Sequence, residues 1–249
     1  MRRLTFGGRD GVPIWSLDGR DVFFSSDRDG KPGIYRQIAD GTGSAERLTE
    51  TAEGDFGHIP SSVDPKGKTL AFEVRHTPSF ADSDIWILPW GTGGKPRPFL
   101  QMPGFQGHAV FSPDGKWLAY MSNELRSARQ VFVQPYPSTG AKYQITTDGG
   151  DDPIWSPDGS QLFYSSNSKL FAVDVRTQPG FSFGKPQPLP ISGFLQRLGQ
   201  PPDYDITPDG KQFLVVLPAS QNETNQRSTA QIDIVLNWFE ELKQRVPVK

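Results

Sequence analysis

Apolar residues fall into short runs along this chain. Some runs alternate with polar residues, others are apolar throughout, and Gly, Pro or Asp closes most of them. That is the pattern of strands and tight turns, not of helices. The runs pair around one recurring turn: Ser16-Leu17-Asp18-Gly19, Asp64-Pro65-Lys66-Gly67, Ser112-Pro113-Asp114-Gly115, Ser156-Pro157-Asp158-Gly159 and Thr207-Pro208-Asp209-Gly210. Before it stand Val12 to Trp15, Ile59 to Val63, Ala109 to Phe111, Pro153 to Trp155 and Tyr204 to Ile206. After it stand Val22-Phe23-Phe24, Leu70-Ala71-Phe72, Trp117 to Tyr120, Leu162-Phe163-Tyr164 and Phe213 to Val216. Proline presets φ, aspartate bonds back to the backbone and glycine supplies positive φ, so each pair is predicted to be a hairpin. On this reading Gly115 and Gly159 need a left-handed backbone, and Gly43, in a polar loop, tolerates a side chain.

A third strand is predicted in each unit, at Gly33 to Tyr35, Asp84 to Ile87, Gln130 to Val133, Leu170 to Val173 and Gln231 to Val235. A weaker fourth follows at Glu46 to Thr49, Arg97 to Leu100, Tyr143 to Thr146 and Gln187 to Leu189. The closing glycines sit at 19, 67, 115, 159 and 210, in steps of 48, 48, 44 and 51. Four antiparallel strands in each unit of about 45 residues make a propeller blade. The expected fold is therefore an all-β propeller in a single domain. Its five blades are placed near 8–50, 55–102, 105–148, 150–192 and 200–238.

The fifth unit lacks a fourth strand. Arg2-Arg3-Leu4-Thr5 matches Arg47-Leu48-Thr49 and is followed by Gly7-Gly8, much as Gly149-Gly150 follows Ile145. A closing strand over 2–6 is thus expected to complete the last blade and remove the open sheet edges. Charge spacing predicts a short helix over 239–246, capping one face.

Ser-Pro-Asp-Gly after an apolar-aromatic strand, then Leu-Ala-Tyr-like strands and a closing Leu-Thr, resembles the TolB-type propeller repeat, a WD-repeat-like family of bacteria. The resemblance recurs five times and implies contact with protein or small ligands through one face of the ring. The tail from Ile234 to Leu242 is similar to the ends of propeller regions attached to bacterial serine/threonine kinases. It implies either a piece of a larger multidomain protein or a small ring. No Gly-rich loop with a downstream catalytic Asp is present.

Composition narrows the classes further. Lys and Arg number 26 against 28 Asp and Glu, with no basic stripe, so nucleic acid is not an expected partner. There is no cysteine, hence no disulfide, thiolate nucleophile or cysteine-based zinc site. No apolar run approaches the ~18 residues of a membrane span, and the first residues lack a signal peptide's apolar core. As written the chain reads as cytoplasmic. A membrane-anchored parent would place it in the periplasm or outside the cell.

Propellers bind ligands at the ends of the central channel, so the residues beside each first strand are the candidates. They are Asp10 and Val12, His58 and Pro60, Gln106 and His108, Asp151 and Asp152, Asp203 and Tyr204. His58, His108, Asp152 and Asp203 come from four different blades. Imidazole with carboxylate suits Zn²⁺ or Mn²⁺, and carboxylates with carbonyls suit Ca²⁺. Such an ion could activate water at a phosphoryl or acyl centre. The competing reading is that these groups bond the innermost backbone in solvated channel water. His76 is read as a surface residue of an outer hairpin loop. Gly180-Phe181-Ser182-Phe183-Gly184 matches a nucleophile elbow by letter, but that motif needs a following helix, which Lys185-Pro186-Gln187-Pro188 denies. Trp15, Trp117 and Trp155 are assigned to the inter-blade core, and Trp90, in a turn, is the candidate anchor for a partner. Two functions follow. The favoured one is a binding module without chemistry of its own. The alternative is a divalent-metal hydrolase of phosphotriesters, esters or lactones at the channel mouth.

Overall fold

The structure is a computed structural model that describes residues 4–125, 128–195 and 202–218. Apart from one 3-10 turn at Trp90–Thr92, its regular elements are strands. The first sheet runs β1 (Asp10–Trp15), β2 (Asp21–Ser26), β3 (Gly33–Ile38), β4 (Glu46–Arg47). The second runs β5 (Gly57–Val63), β6 (Leu70–Arg75), β7 (Ser83–Leu88), β8 (Arg97–Leu100). The third runs β9 (Gln106–Phe111), β10 (Trp117–Ser122), β11 (Gln130–Pro135), β12 (Tyr143–Gln144). In the fourth, β13 (Asp151–Trp155), β14 (Gln161–Ser166) and β15 (Lys169–Arg176) are edged by two short pieces, β16 (Ser182–Phe183) and β17 (Gln187–Ser192). A hairpin of β18 (Tyr204–Ile206) and β19 (Phe213–Val215) makes a two-stranded sheet. All ladders in these sheets are antiparallel. The expected third strand over Gln231–Val235 and the helix over 239–246 lie outside the described residues. So do Arg2 and Arg3 of the expected closing strand. Leu4 to Phe6 carry no strand, and Leu4 packs against Val22, Phe24 and Tyr35 of the first sheet.

Each sheet lies face to face with the next, which explains why the second strands carry unbroken apolar runs such as Val22-Phe23-Phe24, Leu70-Ala71-Phe72 and Leu162-Phe163-Tyr164. Along β10, Leu118 and Tyr120 meet Ala71, Ile85 and Ile87 of the second sheet. The alternate residues Trp117 and Ala119 meet Trp155, Leu162 and Val173 of the fourth. A strand covered on both sides has no polar face to alternate with. Trp117 and Trp155 are buried as expected, but Trp15 is 61% exposed. Trp155 packs against the sheet preceding its own and donates Nε1–H to the Val110 carbonyl (3.1 Å). Trp15 is in the first sheet, and no described sheet precedes it in the chain.

The recurring turn closes each innermost hairpin by the same chemistry. The hydroxyl of Ser16, Ser112, Ser156 or Thr207 accepts the N–H that opens the second strand, at 2.9, 3.0, 2.9 and 3.1 Å. It donates to the Asp two residues on, at 2.6–2.7 Å. Asp64 replaces the hydroxyl in the second sheet and accepts from the N–H groups of Lys68 and Thr69 (2.8 and 2.7 Å). The Leu-Thr signature is equally mechanical. Thr49 and Thr146 accept, through Oγ1, the N–H of Ile34 and Val131 (2.9 Å each), which extends ladders that β4 and β12 are too short to complete.

Gly115, Gly159 and Gly210 adopt φ of +68°, +71° and +71°. Each turn also leans on the one before it. A Cβ on Gly115 would stand 3.2 Å from Cδ of Pro65, one on Gly159 3.7 Å from Pro113, and one on Gly210 3.4 Å from Pro157. Gly43 also has φ +72°, so the expectation that it tolerates a side chain freely does not hold, although its surroundings are open. Gly115→Val should therefore cost roughly 1–3 kcal/mol from backbone strain and more through Pro65, whereas Gly43→Val should cost the strain alone. Urea denaturation of the two variants compares them, and equal losses would remove any role for the Pro65 contact.

Candidate functional site

Four of the five innermost strands begin two or three residues earlier than expected, because each of the four contains a bulge that breaks strict alternation, whereas β18 begins at Tyr204 as expected and pairs in regular register. In β1, β9 and β13, two residues stand opposite one on the neighbouring strand. The first residue of each bulge is Val12, His108 or Asp152, with φ of +50°, +50° and +55°. A non-glycine residue there costs on the order of 1–3 kcal/mol. Pro60 holds the matching place in β5, where its ring forbids positive φ, and the irregularity falls one residue later, at Ser61.

The bulges surround an axial cavity of about 350 Å³. Its wall takes residues from the innermost strands of all five sheets, among them Val12, Ile14, Pro60, Val110, Ile154 and Tyr204. His108 reaches it, and so does Glu73 from β6. His108 Nδ1 meets Asp152 Oδ1 at 2.5 Å across the boundary between the third and fourth sheets. Its backbone N–H donates to Glu73 Oε1 (2.7 Å), and its Nε2 stands 3.9 Å from the same oxygen. The Tyr204 hydroxyl donates to the Asp152 carbonyl, joining the fourth sheet to β18. Arg129 lies 3.8 Å from Asp151 and above the ring of Phe105.

Burial sets the protonation of this cluster, and charge corrects it. For His108 burial disfavours the imidazolium, but Asp152 and then Glu73 outweigh it, so its pKa is raised. Burial lifts the Glu73 carboxyl above its ordinary value, with His108 pulling the other way. Burial, with the Asp152 and Asp151 carboxylates beside it, puts the Tyr204 phenol well above its ordinary range.

Of the four residues considered as metal ligands, only His108 and Asp152 meet. His58 is buried elsewhere, its Nδ1 2.8 Å from Thr49 Oγ1 and its ring against Phe72. Burial pushes its pKa down to about 4. Asp203 is buried just before β18, and its carbonyl accepts the Val216 N–H (2.8 Å). Asp10 pairs with Arg28 (2.9 Å) in a separate groove, which His58, Phe56 and Arg75 also line. Among the described residues no group of three or more His, Asp or Glu is disposed to hold a metal ion. Trp90 is half-buried against Phe23 (5.1 Å between ring centroids), under the guanidinium of Arg36, which leaves little of it for a partner. His76 is not a bare surface residue either. It bridges Asp55 and Asp84 at 2.8 and 3.0 Å. Phe181 is a core residue against Trp117, so the Gly180–Gly184 segment is no nucleophile elbow.

Glu73 is the residue that sequence reasoning missed, and the repeat contains the signal. It stands six positions after the turn glycine, where the other units have Ser25, Met121, Ser165 and Val216. No other unit places a charge there, so the fold does not require one.

No family model matches the chain. An uncharacterized protein of Agrobacterium fabrum is 35% identical over 128 residues, covering 48% of this chain and 42% of that protein. Among solved structures, TolB from Acinetobacter baumannii superposes with a TM-score of 0.56 at 23% identity, over 75% of this chain and 45% of that one. A puromycin-hydrolyzing peptidase of Mycobacterium tuberculosis gives a TM-score of 0.61 at 20% identity, over 86% and 36%. The chain thus spans less than half the length of each. The fold is that of a TolB-like propeller, with all-β architecture and four-stranded antiparallel sheets. No helix of the described residues is long and apolar enough to cross a membrane.

The His108–Asp152 contact has a pH signature. Its folded pKa is raised, so its stabilisation is complete below about pH 6.5, the unfolded value, and is lost as pH rises through the folded one. His76, also raised, acts in the same direction. Asp152→Asn should flatten only the His108 share. Urea midpoints of both proteins from about pH 6 to about pH 9 should converge with rising pH, and parallel curves would show that the contact contributes no linkage.

Proposed function

We propose that the chain is a five-bladed propeller that binds a ligand in its axial cavity, with no chemistry of its own. The observation that carries this reading is the cavity itself. It is mostly apolar, has a few convergent polar groups and falls in the size range of small-ligand sites. Its occupant is a small molecule or an extended protein segment. The ionisable pair His108 and Asp152 is already mutually engaged, as befits a structural contact across the sheet boundary. The likenesses to TolB and to the peptidase support the fold alone, since function lives in the site. A metal-dependent hydrolase using His58, His108, Asp152 and Asp203 gains nothing from the placement of His58.

A fragment screen by ligand-observed NMR tests the reading. Val110→Trp, which fills the cavity from its wall, should abolish the binding seen with wild type, and chelator should leave both binding and melting temperature unchanged. Binding that survives Val110→Trp would place the site elsewhere. A chelator-sensitive melt would revive the metal reading.

The ring is closed, on this proposal, by the first residues of the chain lying between the first sheet and the last blade, by side-chain packing and without a strand over Leu4 to Phe6. Leu4 supports this, since it covers the face of the first sheet opposite the one turned to the second sheet. Deleting residues 1–6 should cost up to the ~1.5–3 kcal/mol of a fully buried leucine, since Leu4 is partly buried. An unchanged melting temperature would sink this closure.

A further inference from the structure

Two polar atoms at the axial cavity have no partner. Glu73 Oε2 and Ser61 Oγ are both buried, both residues line the cavity, and neither atom makes a hydrogen bond. Buried polar atoms are satisfied in nearly all cases, and an orphaned carboxylate oxygen is among the costliest exceptions. No cation makes a hydrogen bond to Glu73 Oε2, although His108, Arg75 and Arg129 are near enough to favour its charged form. His108 is held by Asp152, and its Nε2 is 3.9 Å from Glu73 Oε1, beyond hydrogen-bond reach. Arg75 lies over the Phe80 ring with its Nη2 turned to the Pro78 carbonyl. Arg129 stands beside Asp151.

A second departure from the repeat lies on the same wall. Asp205 occupies the place that Ile14, Ser62, Val110 and Ile154 hold in the other sheets. Two acids therefore stand where the fold asks for apolar or neutral residues, and both face a cavity otherwise walled by Val12, Pro60 and Ile154. An anion would meet two carboxylates. A neutral guest would leave Glu73 Oε2 unpaired and the carboxyl inclined by burial to keep its proton, whereas a cation would hold it in the charged form.

Resting on the binding reading above, we propose that the axial cavity takes an organic cation: an ammonium group carrying a small apolar body. Its N–H donors are received by Glu73 Oε2 and Ser61 Oγ, Asp205 adds charge at the rim, and the hydrocarbon part lies against the Pro, Val and Ile wall. The apolar wall excludes water, which strengthens the charge pairing and selects against a hydrated inorganic cation. The same chemistry is offered by a free amine and by a lysine side chain of an extended peptide.

Isothermal titration with 2-phenylethylamine, its neutral isostere 2-phenylethanol and 3-phenylpropionate separates charge from shape. The amine should bind at least about tenfold more tightly than the alcohol, and the propionate more weakly than either. Glu73→Gln, which keeps shape and removes charge, should bring amine and alcohol to near-equal affinity. Ser61→Ala should weaken the amine alone. Should Glu73→Gln fail to fold, Asp205→Asn at the rim should still narrow the preference. A peptide with one lysine, capped at both ends, separates the two sources: tighter binding than the free amine assigns the site to protein segments, and weaker binding to small amines. Equal affinity for amine and alcohol in wild type overturns the proposal, as does an amine preference kept in Glu73→Gln, or no amine binding at all. None of these touches the binding reading, which Val110→Trp decides separately.

Discussion

One extra residue in four of the innermost strands governs the centre of this molecule. A strand of strict alternation would divide its side chains between the two neighbouring sheets and leave none for the axis. The bulge at Val12, Pro60-Ser61, His108 and Asp152 breaks that division and turns side chains inward. In three places it does so through a left-handed backbone on residues that resist it. Contacts made at the bulges offset this strain. Ser62 donates to the Ala109 carbonyl (2.8 Å), Glu73 accepts from the N–H of His108, and Asp152 holds both His108 and Tyr204. The strain and the sheet-to-sheet stitching are thus two aspects of one arrangement, and the axial cavity is its by-product.

The electrostatics follow from the same geometry. Sheets stacked face to face leave little room for water, so any charge at the axis must find a partner inside the protein. His108 and Asp152 do so across a sheet boundary. Their ion pair joins elements far apart in sequence, and it orients the imidazole that Glu73 approaches. Among the described residues that line the cavity, Glu73 and Ser61 have buried polar atoms without a hydrogen bond, and these give the wall its demand on the chemistry of a guest.

The sequence carries the turns, hairpins and fourth strands openly, because Ser-Pro-Asp-Gly and Leu-Thr each perform a local backbone task. The starts of the four bulged innermost strands were hidden, since a bulge looks like a loop to any test of alternation. His58 and His108 sit two residues apart in repeat register, at the matching places of Asp10 and Val12, and that offset sends one to a groove shared with Arg75 and the other to the axis. Trp90 looked free because a turn is usually solvated, yet Phe23 of the neighbouring sheet covers it. His76 hid its role because Asp55 and Asp84 reach it from separate segments. Glu73 was legible all along by comparing units position by position, where a lone charge among Ser, Met and Val stands out.

The glycine of one turn rests on the proline of the turn before it, so half of each contact belongs to one unit and half to the next. Any unit with both letters offers a matching surface on either side, whatever its neighbours contain in detail. A unit could be duplicated or removed without redesigning the junctions. Ring size in such a molecule is then limited by the angle each sheet subtends at the axis, not by the chemistry of the joints. The first unit, which carries Leu17 in place of proline, makes no such contact with Gly67 and is the place where that interchangeability stops.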